Sequence, residues 1–155
     1  MDTQININDK RNDVDESLYS RQLYTIGKEA MNKMKESSIL ISGLSGLGLE
    51  IAKCVILGGV KSVTLHDNKS LSVTDLSSNY YSSKIDLGKN RVEVVRDKLA
   101  RLNPYVNVEI NQDELTFDLI KKHNTFVTCD KLPSSQIENN QFCRENNIRF
   151  ILAST

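Results

Sequence analysis

Residues Ile39–Glu50 limit what this chain can fold into more than any other stretch. Ile39–Ser42 is a short apolar run that reads as a strand, and Gly43-Leu44-Ser45-Gly46-Leu47-Gly48 is a glycine-rich turn. The apolar pattern beyond it predicts a helix to about Leu57. Glycines let the backbone turn sharply and let strand and helix pack closely, while a helix start presents unpaired N–H groups that suit a phosphate. Strand, turn and helix in that order begin a Rossmann-like nucleotide-binding fold. The spacing is G-x-x-G-x-G, not G-x-G-x-x-G, so the turn argues for the fold more strongly than for phosphate binding.

The rest of the chain repeats the pattern. Ser62–His66 reads as a second strand that stops at Asp67, nineteen residues after Gly48, about where a dinucleotide fold places an acid for the ribose. Asn68–Leu87 is a long polar connection of the kind that is usually functional or interfacial, with Tyr80-Tyr81 its aromatic pair. Val92, Val95, Leu99 and Leu102 make a one-sided helix over 89–102 that Asn103-Pro104 terminates. Next come a third strand over Val106–Ile110, a short helix over Leu115–Lys122 and a fourth strand over Thr125–Cys129, ending at Asp130. Pro133 opens a helix to about Asn146, and Arg149–Ala153 is a fifth strand. Alternation of this kind predicts an α/β fold, a Rossmann-like parallel sheet with helices on both faces. The chain stops on a core strand with no helix after it, and the expectation is a fragment of a longer domain.

Ahead of the first strand, Leu23, Ile26, Ala30 and Met34 recur at the spacing of an amphipathic helix, interrupted by Gly27. Residues 1–16 are rich in Asn and Asp and are expected to be a disordered polar tail, so that the folded domain is 17–155. At 155 residues the chain is one domain able to bury a core, and Lys+Arg balances Asp+Glu at 20 each. No global charge recommends nucleic acid or a membrane surface as a partner. There is neither a signal-peptide pattern nor a membrane-spanning apolar run, so a soluble, intracellular protein is expected. Cys54, Cys129 and Cys143 are too widely spaced for a zinc knuckle or a redox pair, and Cys54 and Cys129, among apolar neighbours, read as inert buried thiols. His66 and His123 are not at metal-ligand spacing and read as structural.

Several spaced motifs go further than the glycine turn. Ser17-Leu18-Tyr19-Ser20-Arg21-Gln22-Leu23-Tyr24, Gly46–Lys53, Gly58-Gly59-Val60-Lys61, Asp75-Leu76-Ser77-Ser78, Asp86–Arg91 and Leu102-Asn103 together resemble the N-terminal half of eukaryotic ubiquitin-activating enzymes, in the ThiF/MoeB-like superfamily. The resemblance runs from about Asp13 to the end of the chain. It implies a long cytoplasmic and nuclear enzyme with two similar adenylation halves, one active and one not. The active half binds ATP and Mg²⁺ and adenylates the C-terminal glycine of ubiquitin, and a cysteine on a separate domain then takes up the ubiquitin.

Departures from the pattern imply that this is the N-terminal part of the inactive half. Where the active half carries a triphosphate-binding arginine and lysine, this sequence has Ser78 and Arg91. A hydroxyl cannot replace a guanidinium on phosphates, and losing one such contact costs on the order of 3 kcal/mol of transition-state stabilisation. A poor or empty local ATP site is therefore expected, with no catalytic residue and no metal ligand in this fragment, and none of its cysteines matches the family's nucleophile. Asp67 and Asp130 match family acids, but the simpler reading is of strand-end aspartates capping a following loop or helix. Arg21 differs: an arginine near a helix start is ordinarily just solvated, but the resemblance implies that it reaches the ATP of the active half. Lys35 and Lys53 read as surface or packing residues. The expected partners are the active half, on the same chain or on a separate one, and ubiquitin. The alternatives are the inactive subunit of an enzyme for another ubiquitin-like modifier, an NAD(P)-dependent dehydrogenase and a binding module with no nucleotide role.

Overall fold

The five apolar runs form one sheet with the strand order β3-β2-β1-β4-β5. The computed structural model describes residues 16–155. Its elements are α1 (Glu16–Lys35), β1 (Ser38–Ser42), α2 (Gly46–Gly58), β2 (Ser62–His66), α3 (Arg91–Ala100), β3 (Asn107–Asn111), α4 (Phe117–Lys121), β4 (Thr125–Cys129), α5 (Ile137–Glu145) and β5 (Arg149–Ala153). All four pairings are parallel, with Ile41 of β1 opposite Leu65 of β2 and Val127 of β4. The chain winds outward from β1 through β2 to β3, then returns to the other side of β1 for β4 and β5. The strand order therefore reverses between β1 and β4, where α/β sheets open a crevice at the strands' C-terminal ends.

Side chains alternate across each strand, and this assigns the helices to the two faces. Ile41, Val63, Leu65 and Val127 pack with Leu49, Ala52 and Ile56 of α2 and Val92, Val95 and Leu99 of α3. Leu40 and Phe126 point the other way, onto Ile120 of α4, Cys143 of α5 and Ile148. The α/β sandwich expected from the sequence is thus the fold observed. Of residues 1–16, for which a polar tail was expected, only Glu16 lies among the described residues.

The structure corrects the sequence reading in several places. Gly27 breaks α1 at φ 83° and ψ 163°, a conformation that favours glycine, and the helical phase restarts after it. Ile26, read as part of the buried stripe, is consequently exposed, while Met31 is fully buried beside Tyr19, Leu23 and Met34. Cys54 faces solvent because α2 buries one side only, through Leu49, Ala52 and Ile56. Pro133 opens a 3₁₀ turn over Pro133–Gln136, and the α-helix proper begins at Ile137. α3 stops at Ala100, short of the expected end at Leu102.

The connection from β2 to α3 contains 3₁₀ turns at Thr74–Ser77 and Lys84–Asp86 and closes on itself through a bridge between Ser70 and Asn90. Asn90 caps α3 by accepting the Val92 N–H at 2.9 Å and donates to the Asp67 carbonyl at 3.0 Å. Both ends of this long loop are therefore held at the end of β2. That geometry delivers Arg91, the first residue of α3, to Asp67.

Candidate functional site

The crevice predicted by the topology lies where β1, β2 and β4 end, and Gly43, Ser45, Asp67, Arg91 and Asp130 are among the residues lining it. Gly48 allows the turn above it to close: a Cβ there would lie 1.8 Å from the Gly43 carbonyl oxygen. Gly46 lies under the β2–α3 loop, where an added Cβ would come within 2.6 Å of the Ser78 Cβ. The position at which the sequence lacks the expected arginine therefore abuts the first turn of α2. Ser45 makes no side-chain cap to that helix because its hydroxyl donates to the Asp130 carboxylate. Asp130, at φ 53°, thereby ties the end of β4 to the start of α2.

Asp67 and Arg91 meet inside the crevice. One oxygen of Asp67 accepts the Leu44 N–H at 2.8 Å and an Arg91 nitrogen at 3.3 Å, and the other accepts the Lys69 N–H at 2.9 Å. Arg91 grips Asp75 more tightly, with Nη2 at 2.8 Å and Nε at 3.2 Å from its two oxygens. Asp75 in turn accepts the Ser72 N–H and hydroxyl, at 2.7 and 2.8 Å. Side-chain exposure is 15% for Arg91 and 4% for Asp67. Nε, Nη1 and Nη2 of Arg91 each bond one of two buried carboxylates, so its charge is matched locally.

Electrostatics follow from that arrangement. Burial works to raise the Asp75 carboxyl, but the Ser72 donors and the Arg91 guanidinium outweigh it and hold the group below the ordinary carboxylate range. Burial likewise works against charge on Arg91, and Asp75 and Asp67 more than compensate. A depressed carboxyl contributes stability that is complete above the pH at which a free aspartate ionises, about 4, and that is withdrawn as pH falls through its lower native value. Asp75→Asn is therefore expected to lower stability by about 2 kcal/mol at pH 7. Thermal melts of the two proteins should converge as pH falls below the ordinary aspartate range.

Both histidines are held by protein hydrogen bonds, and His66 also lines the crevice. His123 donates from Nδ1 to the Leu119 carbonyl at 2.9 Å, so its Nε2 accepts the Thr64 hydroxyl at 2.8 Å and pins α4 to β2. His66 donates from Nε2 to the Asp113 carbonyl and accepts the Ser42 hydroxyl on Nδ1, both at 2.9 Å. Cys129 is buried, and burial with Asp130 nearby pushes its thiol up to about 11. Burial also raises the Cys143 thiol. A disulfide reagent is therefore expected to titrate Cys54 alone in the native protein and all three thiols in denaturant. Among the described residues no cluster of His, Cys, Asp and Glu could hold a metal ion, and no helix is long and apolar enough to cross a membrane.

Arg21 lies elsewhere. It is exposed on α1, and no ion pair among the described residues holds it. Its neighbour Gln22 donates to the Gly58 carbonyl at 3.1 Å, at the C-terminal end of α2. The glycine turn is at the other end of that helix, roughly 18 Å away at 1.5 Å per residue. The structure thus brings Asp67, Arg91 and Asp130 to one crevice and leaves Arg21 outside it. Asp75, the partner that occupies Arg91, was not singled out from the sequence as a site residue. It lies sixteen positions away across an irregular loop, where no periodicity links the two.

A match to the ThiF family spans residues 19–155. The chain belongs to the ThiF family. This ThiF domain is 47% identical over 143 residues to ubiquitin-like modifier-activating enzyme 1 of Mus musculus, an alignment covering 92% of this chain and 14% of the relative. It is 46% identical over 145 residues to ubiquitin-activating enzyme E1 1 of Schizosaccharomyces pombe, covering 94% of this chain and 14% of that one. The domain thus spans a small part of the length of these relatives. Among solved structures, E. coli tRNA N6-threonylcarbamoyladenosine dehydratase, TcdA, shares the fold with a TM-score of 0.76 at 18% identity, over 88% of this chain and 59% of that one. E. coli MccB does so with a TM-score of 0.76 at 22% identity, over 93% of this chain and 46% of its own.

Proposed function

We propose that this domain, over 17–155, is the first part of the non-adenylating half of a ubiquitin-activating enzyme of the cytoplasm and nucleus. It scaffolds the adenylating half and supplies Arg21 to the ATP held there. The observation that carries this reading is the commitment of Arg91 to Asp67 and Asp75. A crevice that is to hold Mg·ATP needs cations facing the phosphates. Here the most enclosed cation is paired with two carboxylates, Ser78 stands where the resemblance calls for an arginine, and the acid that would meet a ribose already has three donors, which leaves Lys69 and Lys131 as the other cations lining the crevice. The free volume is about 40 Å³, room for a water or so, against several hundred for an ordinary ligand pocket. With its arginine and its ribose-position acid already paired and so little free volume, the crevice fits Mg·ATP poorly, and the same commitments weigh against a dinucleotide there. Identity to enzymes named for activating ubiquitin and ubiquitin-like modifiers supports the rest.

In the adenylation step a carboxylate oxygen of the ubiquitin C-terminus bonds to the α-phosphorus, and the bond from that phosphorus to pyrophosphate breaks. Negative charge gathers on the departing group. A guanidinium from the neighbouring half meets it with a planar fork of donors and needs no protonation change. The test is ubiquitin-dependent exchange of pyrophosphate into ATP. The complete enzyme should catalyse it and this domain alone should not, whereas exchange by the domain alone would refute the assignment.

A further inference from the structure

We infer that Tyr19, Gln22 and Asn103 form a joint that aims Arg21, and that they are positioning residues for adenylation. The inference rests on the role proposed above for Arg21. Its basis is the way the first segment of α1 is fastened. Tyr19 is buried, and its hydroxyl oxygen accepts Asn103 Nδ2 at 2.6 Å. The same Nδ2 donates to the Ile56 carbonyl at 2.9 Å, and Asn103 Oδ1 accepts the Tyr105 N–H at 3.1 Å. Gln22 reaches the Gly58 carbonyl. Ile56 and Gly58 are in the last turn of α2; the Ile56 carbonyl takes the Gly59 N–H at 3.1 Å as well as Asn103, and the Gly58 carbonyl takes Gln22, so two side chains from outside fasten that end. The ring of Tyr19 lies against Gly59, where an added Cβ would come within 2.6 Å of its hydroxyl oxygen. No bulkier residue fits there without moving the tyrosine.

These contacts set the rotation of the helix as well as its position. At about 100° per residue, Gln22 and Leu23 fall within about 60° of Tyr19, and Arg21 stands roughly 200° around. Fastening Tyr19, Gln22 and Leu23 inward thus turns Arg21 outward, beside Tyr24, which is 94% exposed. Gly27 breaks the helix six residues beyond Arg21, so the aim of this short segment depends on the joint and not on the rest of α1. A guanidinium on a long side chain meets a phosphate at a fixed point only if its backbone is fixed. Displacement by about 1 Å can cost up to a hundredfold in rate.

The joint also caps α2, and a purely structural role must be separated from a positioning one. The experiment is a mutant cycle in the complete enzyme, read as kcat and KM for ubiquitin-dependent pyrophosphate exchange. Tyr19→Phe keeps the ring and removes the acceptor, and Gln22→Met keeps the length and removes the donor. The pair is expected to lower kcat about 10-fold with the KM for ubiquitin unchanged, and to cost less than about 2-fold further when Arg21→Ala is already present. The same loss in both backgrounds would overturn the inference, because the joint would then be acting through stability. No loss in the Arg21 background, while Arg21→Ala itself is damaging, supports the inference when the pair is costly beside an intact Arg21. A pair that costs nothing beside an intact Arg21 would overturn it and leave the Arg21 role standing. If Arg21→Ala costs nothing, the role of Arg21 fails and the inference falls with it.

Discussion

Replacing Gly48 with alanine is expected to destabilise this chain by about 4 kcal/mol and to lower its Tm by about 10 °C. The new methyl carbon would sit 1.8 Å from the Gly43 carbonyl oxygen and 2.9 Å from the carbonyl carbon. Neither atom can rotate away, because both are backbone at the mouth of the turn. Gly43 is itself tied down, its N–H donating to the His66 carbonyl at 2.9 Å. Relief must come from moving α2 off the sheet, and Leu49, Ala52 and Ile56 would then lose their packing in the larger core cluster. Gly46→Ala is the informative contrast. Its clash is with Ser78 Cβ and Oγ on an exposed loop, and the Cβ moves only if that loop's backbone shifts, so a smaller cost of about 2 kcal/mol is expected. Thermal melts of the two variants measure the difference, and a Gly48→Ala protein within about 1 kcal/mol of the parent would contradict the packing described here.

Arg21→Ala carries the second large expectation, about a 100-fold loss in ubiquitin-dependent pyrophosphate exchange by the complete enzyme with the Tm of the domain unchanged. Stability should hold because the side chain is exposed and no ion pair among the described residues depends on it. Rate should fall because removing one charged donor aimed at developing charge costs about 3 kcal/mol, whereas a rim charge costs a few tenths. Arg21→Lys should recover only part of the loss, since an ammonium keeps the charge without the planar fork. Steady-state exchange assays on the three proteins give the order. An Arg21→Ala enzyme with parental kcat would remove Arg21 from the chemistry.

What could be read from the sequence, and what could not, divides along a physical line. Parallel strands buried on both faces are apolar runs, so Ile39–Ser42, Ser62–His66 and Thr125–Cys129 are visible as strands in the letters alone. The stripe Val92, Val95 and Leu99 is equally local, and all three residues are buried. Asp67 and Asp130 were legible as strand-end acids, but the bonds they accept come from Leu44 and Ser45 of the glycine turn, far back in the chain, and not only from the segment that follows them. Misreadings arose where a local pattern meets a break or a long-range partner. Gly27 reset the phase of α1, which hid Met31 and promoted Ile26. Apolar neighbours suggested a buried Cys54, yet exposure on a helix depends on which side meets the sheet, and Cys54 is on the other one. Arg91 was legible as a departure from a pattern, but its pairing with Asp75 was not, because a salt bridge across an irregular loop leaves no period. The Tyr19–Asn103 contact spans 84 positions and is invisible for the same reason.

A crevice whose arginine and acids already hold one another should leave little for a nucleotide to bind. Calorimetric titration of this chain with Mg·ATP tests that directly. With Arg91 shared between Asp67 and Asp75, no saturable heat is expected up to about 1 mM nucleotide. Saturable micromolar binding that disappears in Asp67→Ala would contradict it, for the crevice would then be a working nucleotide site.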